Sequence, residues 1–463
     1  MFPDRLTRRT FMSRSAAAAA GLFLSSCFGE KVATTPSPRP TFGAPLDTID
    51  TRWPIDRVVY LMLENRSFDN LFGRFPGVNG TTTGVRFGRE VPLGRCPEWL
   101  PGDLAHDLSA WKACYHEGAM DGFAIGEFGP YFAYSQFGKS DVPSYFHWAK
   151  EYVVCDNFFA SVAGPSYPNH LFMIAGQAGG AIDNPENILT KRLNDGRVFK
   201  SWGCDAFGDG VFVYTRAPDG TVTKHASCFD FESVGQQLSK RDIDWAFYSA
   251  DPYQAGYIWQ PYSAIKDVFH DRDFWDEHIW PVDDLMRDIE ASALPPVTWI
   301  TPRFQLSDHP PFSTRHAHNW VTDLVNGLMR SDMWNSLAIF ITWDEWGGLY
   351  DHVAPPTLGD GDLGFRVPML VISPFAKRGY VDDAFGEFSA PLRFIADNWG
   401  LPHLTKRIRR SHSFEHVFDF RGRPRPPDPQ PHVHATNDFW DWPEHFPGWP
   451  AGLTPDEPAI RYP

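Results

Sequence analysis

LAIFITWDEWGGLYDH, residues 337–352, is the stretch whose reading decides the fold. Leu337–Trp343 is an apolar, β-branched run, the composition of a strand buried on both faces. Asp344-Glu345 ends that pattern abruptly, and Gly347-Gly348 lets the backbone turn away. Two acids at the carboxyl end of a buried strand stand where open α/β sheets place their ligands. Adjacent carboxylates repel, and each resists ionising unless a cation lies between them. A hard divalent metal with oxygen ligands meets that need. An isolated Asp-Glu pair is more commonly a helix cap and a solvated turn. Its recurrence elsewhere in the chain favours the metal.

That recurrence is at Arg57–Leu63, a second buried strand, which ends in Glu64-Asn65-Arg66-Ser67-Phe68-Asp69-Asn70. Glu64 and Asn65 would lie at the same sheet edge as Asp344 and Glu345, and together the four outline an oxygen-rich cation site. Further along, Asp103-Leu-Ala-His106-Asp107 precedes a helix, and His106 suits a phosphate contact, a proton donor or a capping residue. A third apolar run, Val153 to Val162, leads into Ala163-Gly-Pro-Ser-Tyr-Pro-Asn-His170. There Ser166 fits either a helix cap or a nucleophile facing an anion at a helix N-terminus. No GxSxG elbow is present.

Residues 181–235 read as a polar insertion carrying a hairpin, Val211–Arg216 and Thr221–Lys224. Asp242–Ser249 and Pro296–Thr301 are further strands, and the aromatic segment Tyr253–Trp280 between them suits a pocket wall or ordinary packing. Pro302–His318 reads as a loop in which His309, His316 and His318 are equivalent candidates to reach the site. Trp320–Met329 is an amphipathic helix, Arg366–Pro374 one more buried strand, and Pro391–Trp399 a helix. The tail from about 402 to 463 reads as an irregular wrap over the domain.

With 463 residues, 43% hydrophobic and 21% charged, the chain has ordinary globular composition. The 18 Trp and 38 Phe supply material for aromatic-lined pockets. A formal charge of −15 argues against a nucleic-acid partner and against electrostatic adhesion to anionic lipid.

Residues 1–27 read as an address. Thr7-Arg8-Arg9-Thr10-Phe11-Met12 is a twin-arginine pattern, and Ala16–Leu24 is too short to span a bilayer. Leu24-Ser-Ser-Cys27 resembles a lipobox that would lipidate Cys27. Residues 28–50 form a Pro/Ser/Thr-containing tether, leaving 51–463 as a single domain. The expectation is export and an N-terminal lipid anchor at the cell surface or in the periplasm, or secretion, with no transmembrane helix in the mature chain. Export permits disulfides. Cys204 and Cys228 flank the hairpin and are expected to pair, as are Cys96 and Cys114, with Cys155 a buried free thiol.

Five blocks, ENRSFDN (64–70), GPSYPNHLF (164–172), SDHPP (307–311), WDEWGGLYDHVAPP (343–356) and RVPMLVISP (366–374), together resemble the phosphoesterase family of bacterial phospholipases C, acid phosphatase A and plant non-specific phospholipases C. The resemblance spans about residues 55 to 400, with the blocks in the family's order. It implies an α/β fold with an alkaline-phosphatase-like core, a mostly parallel central sheet flanked by helices. It implies one divalent metal ion (Ca, Mg, Mn or Zn) on Glu64, Asn65, Asp344 and Glu345, and Ser166 as the nucleophile. His106 and His309 match histidines around the phosphoryl group. Asp351-His352 matches a recurrent pair, completing the catalytic candidates, and Asn169 and His170 are substrate-binding candidates. Three residues depart from the family pattern. Trp343 and Trp346 flank the acids where other residues are common, and His170 replaces an Arg.

The expected activity is phospholipase C hydrolysis of phosphatidylcholine-type lipids through a phosphoserine, the trimethylammonium resting on aromatic faces. The alternatives are a phosphomonoesterase and a non-catalytic binding lipoprotein.

Overall fold

The computed structural model describes residues 50–433, except 101, 207, 209, 359 and 360. The signal, the lipobox, all but the last residue of the tether and the tail after 433 lie outside the described residues.

Eight strands form the central sheet: β1 (Arg57–Leu63), β2 (Val153–Cys155), β3 (Trp245–Ser249), β4 (Ile279–Pro281), β5 (Val297–Ile300), β6 (Leu337–Trp343), β7 (Met369–Ile372) and β8 (Tyr380–Asp382). Their spatial order is β4-β3-β5-β1-β6-β7-β2-β8. Every pairing is parallel except the two made by β7, which runs against both β6 and β2. The mostly parallel sheet expected from sequence is therefore present. Each of the seven residues of β1, and likewise of β6, is buried, as their largely apolar runs require, with Arg57 Nε donating to the Leu294 carbonyl at 3.2 Å. Those two strands begin and end where the sequence reading put them.

Elsewhere the boundaries differ. The run Val153–Val162 supplies β2 and then a two-residue strand, Phe158–Phe159, paired with Gly386–Glu387 outside the main sheet. Of the helices, α1 (Phe68–Phe72), α2 (Leu108–Tyr115), α3 (Ser166–Ala175), α4 (Thr314–Arg330) and α5 (Ser389–Asn398) matter here. Helix α4 starts six residues before the expected Trp320, so His316 and His318 are helical and not in a loop. Pro311 is the last proline before it, and Ser313 caps it by accepting from the Arg315 N–H. The expected apolar face is observed: Val321, Leu324, Val325, Leu328 and Met329 are all buried.

In the insertion, Phe212–Arg216 pairs antiparallel with Val222–Ala226, and Cys204 is bonded to Cys228 as expected. The expected Cys96–Cys114 bond is absent. Both thiols are free and buried in separate apolar clusters, Cys96 in the main core and Cys114 beside Trp346 and Phe365, while Cys155 is free as expected. The described part of the tail carries a short helix, Lys406–Arg410, and seats Ile408, Phe414, Val417 and Phe418 in the main core. Among the described residues no helix is long and apolar enough to cross a membrane.

Candidate active site

Strands β1 and β6 are parallel neighbours with Leu63 opposite Trp343, so Glu64-Asn65 and Asp344-Glu345 leave the sheet side by side. Backbone bonds lock the junction. The Asp344 N–H donates to the Leu63 carbonyl at 2.9 Å, and the Asn65 N–H donates to Asp344 Oδ1 at 3.0 Å. Asn65 sits in the left-handed region at φ 61°, and Gly347, also at φ 61°, passes so close that an added Cβ would lie 2.6 Å from Asn65 Cβ. Only glycine fits there, which is the physical reason for the turn after the two acids. Backbone strain of this kind clusters at functional sites.

Four buried side chains converge at this edge. Ser166, the first residue of α3, donates its hydroxyl to Glu64 Oε2 at 3.1 Å. His170, one turn on, shares a 2.7 Å hydrogen bond between Nε2 and Glu64 Oε1 and approaches Asp344 Oδ2 at 3.9 Å. The hydroxyl of Ser166 therefore does not cap its helix. Asn169 holds the loop before it, accepting from the Val162 N–H and donating to the carbonyls of Gly164 and Pro165. Every polar atom of the Asn169 amide is engaged inside the fold, so it positions Ser166.

The electrostatics are those of an anionic hole. Burial, then the charges of Asp344 and Glu345, hold Glu64 well above the usual carboxylate range. Burial likewise raises Glu345, with His106 opposing and Asp344 reinforcing. Burial depresses His170 to about 4 against the pull of Asp344, which keeps the ring neutral. Asn65 Oδ1, Asp344 Oδ2 and Glu345 Oε1 are buried without a hydrogen-bond partner. Three uncompensated carboxylates and orphaned oxygens fit a hard cation with oxygen ligands. Glu64, His170 and Asp344 each offer a ligand atom within 4.8 Å of the others, which adds His170 to the expected metal set.

Beside this hole lies a second group, Asp103, His106 and His309, whose ligand-type atoms are also within 4.8 Å of one another. The two imidazoles are 5.8 Å apart, each with Nδ1 at 2.6 Å from a backbone carbonyl, Leu104 for His106 and Pro310 for His309. Burial opposes charge on His106, but Asp103, Glu345, the Leu104 carbonyl and Asp344 push it up to about 9. His309 goes the other way, lowered by burial with Asp103 opposing. One charged and one neutral imidazole face the same space, a division suited to acid and base roles. Among the three candidates in the 302–318 segment, His309 is the one in this group. His318 is buried in α4 and accepts from the Ser144 N–H at 3.2 Å, while the His316 ring lies 6.0 Å from Trp99.

Asp351 and His352 belong to a third group with Asp69. Buried Arg366 donates to Asp351 Oδ1 at 2.9 Å and to Asp69 Oδ1 at 3.3 Å, and His352 Nδ1 lies 2.6 Å from Asp69 Oδ2. Their carboxylates are taken up by this arginine and by backbone N–H groups, which braces the segment after the double glycine against α1.

Both tryptophans that flank the acids are fully buried. Trp343 donates to Asp308 Oδ2 at 2.8 Å, and Trp346 packs on Phe365. Asp103, Trp259 and Phe304 were not singled out by sequence. Trp259 stacks over His170 at 6.5 Å and lies 5.7 Å from His309, and Phe304 is 4.7 Å from His309. The aromatic richness of 253–280 is the signal that pointed toward Trp259.

The model of the phosphoesterase family matches residues 55–402. Hemolytic phospholipase C of Pseudomonas aeruginosa is 24% identical over 86% of this chain and 59% of its own length. Phospholipase C B of Mycobacterium tuberculosis is 26% identical over 92% of this chain and 88% of its own. The chain thus spans less than two thirds of the length of the first of these relatives. A solved structure from Vibrio parahaemolyticus, described as a protein in the alkaline phosphatase superfamily, aligns with 82% of this chain and 77% of that one at 10% identity and a TM-score of 0.35.

Proposed function

This chain belongs to the phosphoesterase family, and from that premise we propose that it is a metal-dependent phospholipase C acting through Ser166. The observation that carries the reading is the Ser166 hydroxyl held by Glu64 inside a cluster of buried, uncompensated acids. The relatives' names supply the lipid class.

Glu64, Asn65, Asp344 and Glu345, with His170 at their side, are the residues that would hold a divalent ion. When bound, such an ion neutralises phosphate oxygens and lowers the pKa of a serine hydroxyl. Glu64 Oε2, ionised when a bound cation offsets the neighbouring acids, would take the Ser166 hydroxyl proton as Oγ attacks phosphorus in line, and would return it to Oγ when the phosphoserine is hydrolysed. His106, protonated at neutral pH, gives its proton to the leaving alkoxide. Neutral His309, across from it, activates the water that hydrolyses the phosphoserine. Trp259 and Phe304 wall the histidines, limiting water and offering an aromatic face to a quaternary ammonium. Residues 1–27 would export the chain and anchor it at the membrane.

A panel of phosphatidylcholine, other phospholipids and a small aryl phosphate, run with and without chelator, tests this. Chelator-sensitive release of phosphocholine from lipid is the expected result. Release of phosphate from the monoester alone would replace the assignment by a phosphomonoesterase. No turnover across metals and pH would leave a binding lipoprotein.

A further inference from the structure

Two aromatic side chains stand out among the exposed large apolar residues. Tyr131 is 78% exposed and Phe87 61%, the two highest values among the described large apolar residues. Others are partly screened: Lys224 lies over Phe212, Arg197 over Tyr253, and Phe159 against Phe385. Phe87 and Gly88 form the turn of the hairpin Thr83–Arg86 with Arg89–Pro92, and both have positive φ, 47° and 74°. Such two-residue turns call for Asn, Asp or Gly at their first position. A phenylalanine there costs backbone strain and leaves its ring in water. The turn is nevertheless held firmly, the Phe87 N–H on the Asp121 carbonyl at 3.0 Å and the Gly88 N–H on Asp121 Oδ2 at 2.8 Å.

Tyr131 belongs to the same surface. Arg86 donates to the Pro130 carbonyl at 3.3 Å, and the Tyr134 hydroxyl donates to the Val85 carbonyl at 2.8 Å. Val85, in the same hairpin, is exposed as well. Arg86 and Arg89 flank the turn, and neither is in an ion pair among the described residues; Glu90 is adjacent, the Asp121 carboxylate holds the Gly88 N–H, and exposed Glu127 precedes Tyr131. In a chain of formal charge −15, the exposed aromatics here stand beside two arginines as well as acids, charges of both signs like those of a zwitterionic headgroup.

Its supports are those of the candidate active site. Phe128, beginning the Tyr131 segment, packs on Gly102 so tightly that a Cβ there would meet its ring at 2.1 Å. Gly102 adjoins Asp103. On the other side the Val85 N–H donates to the Tyr350 hydroxyl at 3.2 Å, and Tyr350 follows the double glycine after Asp344-Glu345.

We propose that the Phe87 turn and Tyr131 form a docking face for a phosphatidylcholine bilayer. The two rings enter the boundary between headgroups and acyl chains, while Arg86 and Arg89 meet lipid phosphates. The proposal rests on the phospholipase reading and supplies how a lipid reaches the buried serine. Insertion of rings, rather than net charge, would drive the contact, in keeping with an acidic chain.

The test is co-sedimentation of the full chain with sucrose-loaded phosphatidylcholine vesicles, in a Ser166→Ala, Cys27→Ser background that spares the lipid and removes any acyl anchor. The parent should pellet, and Phe87→Ser/Tyr131→Ser should partition about tenfold or more weaker. Phe87→Asn relieves the turn, so its thermal midpoint should hold or rise while its binding falls. With Ser166 restored in both the parent and the double variant, p-nitrophenyl phosphocholine reports the chemistry apart from docking. The double variant should cleave it at the parent rate and lose turnover on vesicles only. Equal pelleting of parent and double variant, or a parent that does not pellet, overturns the docking face whatever the ester assay gives. If neither ester is cleaved yet pelleting depends on Phe87 and Tyr131, the enzyme reading falls and the docking face stands.

Discussion

The Ser166 hydroxyl donates to Glu64 Oε2 at 3.1 Å, although the two residues lie 102 positions apart, one opening α3 and the other just past β1. That bond turns Oγ away from the helix end it would otherwise cap and toward the acid cluster. Ser166→Ala should therefore leave folding intact, since no cap is lost, and reduce phosphoester turnover by about three orders of magnitude or more. Far-UV circular dichroism and a lipid assay on the same preparation check it. Undiminished turnover would remove the nucleophile assignment.

Asp344 raises the proton affinity of Glu64, after burial. Asp344→Asn keeps an oxygen for the Asn65 N–H but deletes one of the buried charges. Without metal the variant should be more stable than the parent, because repulsion is relieved. Its affinity for divalent metal should fall about a hundredfold or more, since even the loss of a residue that only orients a ligand costs 10–100-fold. Thermal melts with and without added metal read both effects, and their signs are opposite.

His106 is pushed up to about 9, above the ordinary 6.5 of a histidine. An acid role for it requires the protonated ring, so turnover that depends on this ring persists below about pH 9 and is lost as pH rises through that value. Among the groups that raise it, Asp103 contributes most. Asp103→Asn should move the falling limb of the kcat profile to lower pH, and an unmoved limb would take the acid role from His106.

Arg366 is fully buried between Asp69 and Asp351. Arg366→Leu strands both carboxylates and should destabilise the fold by about 3–5 kcal/mol. Urea unfolding measures it. A change under 1 kcal/mol would mean that the acids are compensated some other way.

Sequence legibility followed the reach of the forces involved. Strands β1 and β6 were readable to the residue because burial on both faces writes a largely apolar run, and their polar ends announced Glu64 and Asp344. Nothing periodic marks Asp103, Phe304 or Trp259. They reach the histidines through loops and one-turn segments, so only the folded chain shows them together. The early start of α4 was hidden by Pro310-Pro311, which forbids a helix at its own position but not three residues on. Free Cys96 and Cys114 show the limit of counting thiols: the count does not carry which apolar cluster holds each.

The sheet's central strand is also the first one made. Val58 of β1 lies opposite Val297 on one side and Ala338 on the other, so both partners leave the ribosome far behind it. At about 5–20 residues per second, translation alone delays the first of them by roughly 12 to 50 seconds. Throughout that interval a seven-residue apolar strand waits with both edges open, a template for pairing with other chains. If Arg57–Leu63 needs shelter during synthesis, the yield of the protein should track the capacity of cellular holdases more than the stability of the finished fold.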